Sequence, residues 1–271
     1  MKGAVSTVQK IGVIGLGNAG NQIASLADKV GIRAAAINTS QQDLDNLEGG
    51  NCFTLKIGND GGCGKNRKLA IEIVKENGTF IFKELDGMFD DMDIVYFVGS
   101  SGGGTASGAM PILTHLFKVR YPNMNFGNIV ILPSSYESII TKTNTVNCIG
   151  DLRKYDVPFM MYDNSRCDKK NPIDLYETVN MQIINDLKIL RGDATNITTP
   201  YGMIDTQDLY KLINTPGLMK VSTVSQLKEN DLDNITIDEI IVKSLKDSLS
   251  VDIDRDKIIE RMDGSKQPVF G

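Results

Sequence analysis

Two glycine-rich loops, each of which follows an apolar run, constrain this chain more than any other feature. Residues 15–20 (GLGNAG) follow the apolar run 11–14, and residues 102–108 (GGGTASG) follow the apolar run 94–98. A helical spacing of apolar residues begins after both loops, so each loop joins a strand to a helix. Glycines at such a turn let the backbone approach a phosphate at the N-terminus of the helix. Together the loops predict an α/β fold that binds one polyphosphate ligand.

The remaining elements repeat this order. Strand patterns occur at 32–37, 129–132 and 157–162, and helical patterns occur at 109–119, 139–154 and 174–190. A strand, a helix and a second strand in succession form a βαβ unit, which implies a parallel sheet. We therefore predict a doubly wound, mostly parallel sheet with a long central helix at 174–190.

Composition and charge exclude several classes of protein. The 271-residue chain has a net charge of −5 and a sequence pI near 5.0, whereas proteins that coat nucleic acid need clustered Lys and Arg. Its four cysteines lack CxxC spacing, and its single histidine, His115, cannot complete a typical zinc site. No apolar run approaches the roughly 18 residues that span a bilayer. We predict a cytoplasmic protein with no direct contact to nucleic acid or membrane.

The first loop alone also fits a nucleotide-dependent oxidoreductase. In dinucleotide-binding folds, an acidic residue about 20 positions after the GxGxxG pattern binds the ribose. Here Asn38, Thr39 and Ser40 stand at the end of the second strand. Residues 64–66 (GKN) also lack the spacing and the Ser or Thr of a Walker loop. An NAD(P)-binding oxidoreductase is the alternative from another class, and the second loop argues against it.

Five short segments carry patterns that occur together in one superfamily. Residues 17–23 read GNAGNQI, 37–39 read INT, 61–64 read GGCG, 102–108 read GGGTASG and 133–137 read PSSYE. The first segment is similar to the first nucleotide loop of tubulins, and the second and third are similar to the INTD segment and the short phosphate loop of FtsZ. The fourth is similar to the GGGTGSG signature of the superfamily, and the fifth follows its proline, aromatic, glutamate pattern. The chain thus resembles the tubulin and FtsZ superfamily, which implies a GTPase fold, GTP or GDP with Mg²⁺ as cofactors, and filament formation.

The resemblance implies nucleotide contacts from the loops and from the long helix. Tyr176 would stack on guanine and Asn180 would hydrogen-bond to its edge, because residues four apart share one helical face. Without the resemblance, a packed tyrosine and a helix-face asparagine would be the simpler interpretation. The implied nucleotide-binding residues are Gly17, Asn18, Ala19, Gly20, Asn21, Cys63, Gly64, Gly102, Gly103, Gly104, Thr105, Ala106, Glu137, Asn164, Tyr176 and Asn180.

Two carboxylates, Asp205 and Asp208, match the superfamily's catalytic loop. The resemblance implies that this loop orients water at the γ-phosphate of the neighbouring subunit in a head-to-tail homopolymer, so that hydrolysis occurs in trans. A bound Mg²⁺ ion would balance the phosphate charge. Alternatively, Asp205 caps a helix near 206–214 and Asp208 complements its dipole, and the two roles are compatible. If the aspartates only cap, the chain is a nucleotide-binding regulator without hydrolysis.

A change to polar residues after Gly192 divides the chain. Residues 1–172 are expected to form the GTP-binding domain and residues 173–192 the central connecting helix. Residues 193–271 would hold the catalytic loop and a reduced or truncated α+β C-terminal domain, with an acidic, amphipathic segment at 235–262.

Two substitutions separate the chain from FtsZ itself. Thr141 stands where FtsZ has an arginine, and Met203 stands where its catalytic loop has an asparagine. The chain looks most like the plasmid- and bacteriophage-encoded tubulins of the TubZ type, in which a small DNA-binding adaptor links the filament to a centromere-like site. This implies plasmid or phage DNA segregation in a bacterial cytoplasm, with an FtsZ-like division-ring protein as the alternative.

Overall fold

A seven-stranded parallel sheet forms the centre of the fold. The computed structural model describes residues 9–47, 51–59, 61–193, 206–221, 258–260 and 266–268. The strands of this sheet are β1 (Ile11–Leu16), β2 (Arg33–Asn38), β3 (Phe53–Lys56), β4 (Ile94–Ser100), β5 (Phe126–Leu132), β6 (Pro158–Asp163) and β7 (Gly217–Leu218). Their spatial order is β3-β2-β1-β4-β5-β6-β7, and each neighbouring pair is parallel. A second sheet pairs β8 (Ile258–Glu260) with β9 (Lys266–Pro268) in antiparallel fashion.

Helices cover both faces of the large sheet. They are α1 (Gly17–Lys29), α2 (Gln41–Asp45), α3 (Arg67–Leu85), α4 (Thr105–Arg120), α5 (Ile139–Leu152), α6 (Pro172–Arg191) and α7 (Thr206–Asn214), and a 3-10 turn spans Asn164–Arg166. One core joins the sheet to α1 and α6, and a second core joins its other face to α3, α4 and α5. The doubly wound α/β fold predicted from the sequence is confirmed, and every described strand of the large sheet is parallel.

Strand β4 shows how the sheet contributes to both cores. Ile94, Tyr96 and Val98 belong to the core under α1 and α6, whereas Val95 and Phe97 belong to the core under α3 and α4. All five side chains are completely buried. A strand covered on both faces needs apolar residues at every position rather than at alternate positions. This requirement explains the continuous apolar run in the sequence.

Helix α6 is the long helix that the sequence predicts at 174–190, and its ends carry clear signals. The Asn171 side chain accepts a hydrogen bond from the Ile173 backbone N–H at 3.1 Å, and Pro172 occupies the first helical position. Gly192 ends the helix with a left-handed φ of 99°, which a glycine adopts without steric cost. The observed bounds differ from the predicted ones by no more than two residues at each end.

A buried carboxylate ties α6 to β6. Asp186 of α6 is completely buried and accepts hydrogen bonds from the Tyr162 hydroxyl of β6 and from Gln182 Nε2, both at 2.7 Å. Burial raises the pKa of Asp186 to about 6, although the two hydrogen bonds act in the opposite direction. Burial raises the pKa of Tyr162 well above its ordinary value, and the neighbouring Asp186 adds to this rise. This polar contact fixes how α6 lies on the sheet.

Several elements differ from the sequence prediction. Strands β3 and β7 and helices α2 and α3 were not predicted, and α4 begins at Thr105 rather than at 109. Strand β7 comes from the region assigned to the C-terminal domain, yet it pairs with β6. The segment 235–262 lies outside the described residues except for β8, and the division into domains stays a prediction. Within the described part of the chain, no helix is both long and apolar enough to span a bilayer.

Candidate nucleotide-binding site

A cavity of about 570 Å³ lies at the carboxyl edge of the large sheet. Its wall includes Leu16, Asn38, Ser100 and Ile131, which lie at the carboxyl ends of β1, β2, β4 and β5. The chain runs from β1 outward to β2 and β3 on one side, and returns to β4 on the other side of β1. Such a change of direction separates the loops of adjacent strands and opens a crevice where ligands bind.

The first glycine loop brings the start of α1 close to the sheet. Gly17 adopts a left-handed φ of 66° at the turn and lines the cavity. A Cβ atom on Gly20 would lie 2.1 Å from the Val98 carbonyl oxygen, and one on Gly15 would lie 2.2 Å from the Gly20 carbonyl oxygen. Gly15 and Gly20 are therefore required for contact between α1, β1 and β4, while Gly17 forms the part of the loop that faces the cavity.

The second glycine loop packs against two neighbouring elements. A Cβ atom on Gly102 would lie 2.2 Å from Thr141 Cγ2 of α5, and one on Gly104 would lie 2.9 Å from the backbone nitrogen of Lys65. For Gly103, the nearest atom would be the Ser100 carbonyl oxygen at 3.9 Å. Gly103 is thus the member of the three whose missing side chain leaves open space.

Ala106 replaces a glycine of the family signature, and its methyl group packs into the protein. Ala106 is 3% exposed and belongs to the core under α3 and α4. A Cβ atom on Gly99 would lie only 2.6 Å from the Ala106 methyl carbon. Because Gly99 has no side chain, the Ala106 methyl group fits beside β4.

Two of the helices that begin at the cavity, α1 and α4, lack side-chain caps. The residues before α1 and α4 are Leu16 and Gly104, and neither accepts a capping hydrogen bond through a side chain. The other helices with a described N-cap are capped by side chains, namely those of Ser40, Asn66, Ser138 and Asn171. The first-turn N–H groups and the positive ends of the dipoles of α1 and α4 therefore form an anion-binding edge.

A third loop, residues 61–65, completes this edge and is tied to both neighbours. The Thr39 hydroxyl lies 3.4 Å from Cys63 Sγ and 2.9 Å from the Thr105 hydroxyl. Asn144 of α5 donates through Nδ2 to the carbonyl oxygens of Lys65 at 2.9 Å and Gly102 at 3.3 Å. The end of β2, the 61–65 loop and the second glycine loop are therefore joined by one set of hydrogen bonds.

Aromatic and amide groups also line the cavity. Tyr176 and Asn180 of α6 line it, and so does Asn164, which is 6% exposed and whose Oδ1 has no hydrogen-bond partner among the described residues. Glu137 also lines the cavity, and it lies close enough to Tyr176 to help raise the pKa of that phenol, after the larger effect of burial. A planar ring, two amides and a carboxylate suit a nucleoside with polar edges.

The structure brings most of the sequence-predicted nucleotide contacts to this one cavity. Those that line it are Gly17, Asn18, Ala19, Cys63, Gly64, Gly102, Gly103, Gly104, Thr105, Ala106, Glu137, Asn164, Tyr176 and Asn180. Gly20 instead lies against Val98. Asn21 is completely buried, and its side-chain amide has no partner among the described residues. Neither residue is among those that line the cavity.

Sequence reasoning missed several lining residues. Lys65 is the one cationic side chain among the described lining residues, and Asp43 and Glu137 are the two carboxylates. In the sequence, Lys65 is the lysine of residues 64–66 (GKN), which do not form a Walker loop. Ser40 and Gln22 line the cavity as well, and in the sequence Ser40 belongs to the segment whose lack of an acidic residue argues against the dinucleotide alternative. The signal for Ser40 is its position just after β2, whereas Gln22 lies near the start of α1.

The structure describes the predicted catalytic pair only in part. Asp205 lies outside the described residues, and Asp208 lies in α7, where its side chain is not described. In α7, the Tyr210 hydroxyl accepts a hydrogen bond from Asn125 at 3.2 Å, and Asn125 directly precedes β5. Helix α7 therefore contacts the amino edge of the sheet, which is separated from the cavity by a strand length of about 20 Å. Within the described residues, no group of three or more His, Cys, Asp or Glu is arranged to hold a metal ion.

Comparison with known sequences points to one family. Residues 10–170 match the Tubulin/FtsZ family, GTPase domain. The tubulin-like protein TubZ of Clostridium botulinum C phage is 31% identical over 223 residues, covering 80% of this chain and 57% of that protein. The chain thus spans less than two thirds of the length of this relative.

Solved structures share the fold. TubZ of Clostridium botulinum phage c-st, truncated at its C-terminal tail, superposes with a TM-score of 0.75 at 25% identity, covering 92% of this chain and 78% of that chain. The GTPγS-form protofilament of TubZ from Bacillus thuringiensis serovar israelensis gives a TM-score of 0.72 at 16% identity, covering 90% of this chain and 71% of that chain.

Proposed function

The chain belongs to the Tubulin/FtsZ family through its GTPase domain, and we propose that it binds GTP at the carboxyl edge of the sheet and hydrolyses it within head-to-tail filaments. The observation that carries this proposal is the convergence of two uncapped helix N-termini and three glycine-containing loops on one cavity. Backbone N–H groups from several turns are a typical arrangement for binding a polyphosphate.

GTP would lie along the cavity from α6 to the glycine loops. Tyr176 stacks on the guanine, Asn180 and Asn164 bind its polar edge, and Glu137 accepts hydrogen bonds from the ribose. The buried, unpartnered Oδ1 of Asn164 supports this orientation, because a buried acceptor without a partner is costly unless a ligand supplies a donor. The phosphates lie between the starts of α1 and α4. A Mg²⁺ ion bound with the nucleotide would balance the phosphate charge.

The positions of the cavity and α7 support hydrolysis in trans. The cavity lies at the carboxyl edge of the sheet, and α7 contacts the amino edge. We infer that a carboxylate carried near α7 acts on the nucleotide of another subunit rather than on that of its own chain. In a head-to-tail filament the amino edge of one subunit faces the cavity of the next, so Asp205 and Asp208 orient the attacking water there.

The biological role we propose is segregation of plasmid or phage DNA, with a small DNA-binding adaptor between the filament and its site. Similarity to the TubZ proteins supports this role, and the net charge of −5 suits indirect rather than direct DNA contact. A plasmid that carries the gene with its flanking DNA should be lost faster with Asp205→Ala. Equal retention of both plasmids would exclude the role.

Light scattering and phosphate release test the biochemical proposal directly. The 271-residue chain should assemble with GTP but not with GDP or NADH, and phosphate release per molecule should rise with protein concentration. Asp205→Ala should bind GTP with unchanged affinity, form longer-lived filaments and release phosphate at least 100-fold more slowly, since a group that orients the nucleophile contributes on the order of 10² to rate. A normal hydrolysis rate in that variant would refute the catalytic assignment, and NADH binding without assembly would refute the whole proposal.

A further inference from the structure

Lys65 stands out on the cavity wall because of its charge. It is the one cation among the described lining residues, beside two carboxylates. Other cations in the described part of the molecule, such as Arg67 and Arg191, form ion pairs with carboxylates. The Lys65 ammonium instead bonds to a neutral partner, the Thr141 hydroxyl, at 2.9 Å. An ammonium has three N–H donors, so this contact leaves two for an anion.

The backbone of Lys65 is also unusual. Its φ is 63°, and it is the one non-glycine residue with positive φ in the described part of the chain. Gly62 and Gly64 beside it have positive φ as well, so glycine is the residue that this stretch of backbone favours. A lysine in the left-handed region carries a conformational cost. Its presence therefore indicates that the side chain has a use.

Helix α5 fixes Lys65 against the second glycine loop. Asn144 donates to the Lys65 carbonyl oxygen and also lies within 3.4 Å of the carbonyl oxygens of Gly102 and Gly103. Thr141, which binds the ammonium, contacts Gly102 through its methyl group. The charge is therefore held beside the loop whose backbone starts α4.

We propose that Lys65 binds the β- and γ-phosphates of the nucleotide directly, with Thr141 and Asn144 as positioning residues, and that it sets the preference for triphosphate over monophosphate. This inference rests on the proposed GTP site. The 61–65 loop then contributes a charge as well as backbone N–H groups. A lysine can serve as a point charge for a phosphate without the two-pronged geometry of an arginine.

Equilibrium binding of GTP, GDP and GMP to the full 271-residue chain separates this role from a structural one. Lys65→Ala should weaken GTP binding by a factor on the order of 10 to 100, the value of one hydrogen bond to a charged group, and GMP binding by less than about threefold. Lys65→Arg should restore most of the GTP affinity. Lys68→Ala is the matched control, because Lys68 is exposed, lies three residues away and does not line the cavity.

A second variant keeps the test independent of folding. Lys65→Gly suits a φ of 63°, so its melting temperature without nucleotide should equal or exceed that of the wild type, while its GTP affinity should fall as in Lys65→Ala. Equal loss of GTP and GMP affinity, or GTP affinity matching that of Lys68→Ala, would overturn the role of Lys65. If the wild type itself binds none of the three nucleotides, the proposed GTP site fails instead.

Discussion

The two glycine loops look alike in sequence but use their glycines differently. In the first loop, Gly15 and Gly20 leave room for protein backbone, because α1 touches β1 and β4 there. In the second loop, Gly103 leaves open space, and Gly102 and Gly104 make room for α5 and for the 61–65 loop. A glycine pattern thus identifies a close approach, but it does not identify whether protein or ligand approaches.

The largest expected difference comes from placing an alanine at one glycine of each loop. Gly20→Ala should lower the free energy of unfolding by about 3 kcal/mol or more, because its Cβ meets the Val98 carbonyl oxygen, which cannot move without distorting β4. Gly103→Ala should change it by less than about 1 kcal/mol, because it meets nothing closer than 3.9 Å. Urea unfolding measures both. Equal midpoints would show that the two loops do not differ in this way.

An intermediate effect is expected at the contact between the second loop and α5. Gly102→Ala should cost about 1 to 3 kcal/mol of unfolding free energy, because its Cβ would overlap Thr141 Cγ2. Thr141→Ser removes this methyl group and keeps the hydroxyl that binds Lys65. The double variant should therefore recover at least half of the loss in a double-mutant cycle. Strict additivity of the two changes would argue against a local overlap.

The smallest effect concerns Ala106. Ala106→Gly recreates the family's usual glycine, yet it should lower the unfolding free energy by about 1 kcal/mol, because it removes a buried methyl group and loosens the first turn of α4. GTP affinity should stay within about threefold of the wild type, since the methyl group packs against Gly99 rather than toward the ligand. A large gain in affinity would mean that the methyl group obstructs the phosphates.

The sequence predicts those parts of the fold whose signals are local. Both glycine loops, the apolar run of β4 and the helical spacing of α6 lie within short segments, and the structure confirms them. Helix α3 was missed because Gly78 and the strand-like run Thr79–Phe82 interrupt its pattern, although Ile73, Val74 and Ile81 are buried on one face. Strand β3 has only four residues, and Leu55 is its one fully buried side chain, so its pattern is too short to recognise.

Contacts between distant segments have no local signal. Lys65 and Thr141 are 76 residues apart and meet only because α5 packs beside the 61–65 loop. FtsZ has an arginine where this chain has Thr141, and the cation beside Thr141 is Lys65, which comes from another loop. In the same way, Gly20 matched a nucleotide motif, but its neighbour Val98 lies on a strand far along the chain. The motif therefore locates the site, but it does not show which glycines contact protein and which line the cavity.

The Asp186 contact under α6 makes the stability of the fold respond to proton uptake. The pKa is 3.8 ordinarily and about 6 in the folded protein, so the folded chain binds this proton more tightly than the unfolded chain. Its contribution to stability is complete below pH 3.8 and is lost as pH rises through 6, a span of about 3 kcal/mol. Asp151 and Asp193 act in the opposite sense, because their pKa values are lowered.

Acidification should therefore strengthen the contribution of Asp186 to stability and weaken those of Asp151 and Asp193. From pH 7.5 to 5.5, the wild type should gain unfolding free energy relative to Asp186→Asn, which keeps the shape of the side chain and cannot titrate. Identical pH profiles of the two proteins would show that Asp186 is already protonated throughout or remains ionised. Because Tyr176 and Asn180 of the same helix line the cavity, this proton uptake stabilises an element that forms part of the cavity wall.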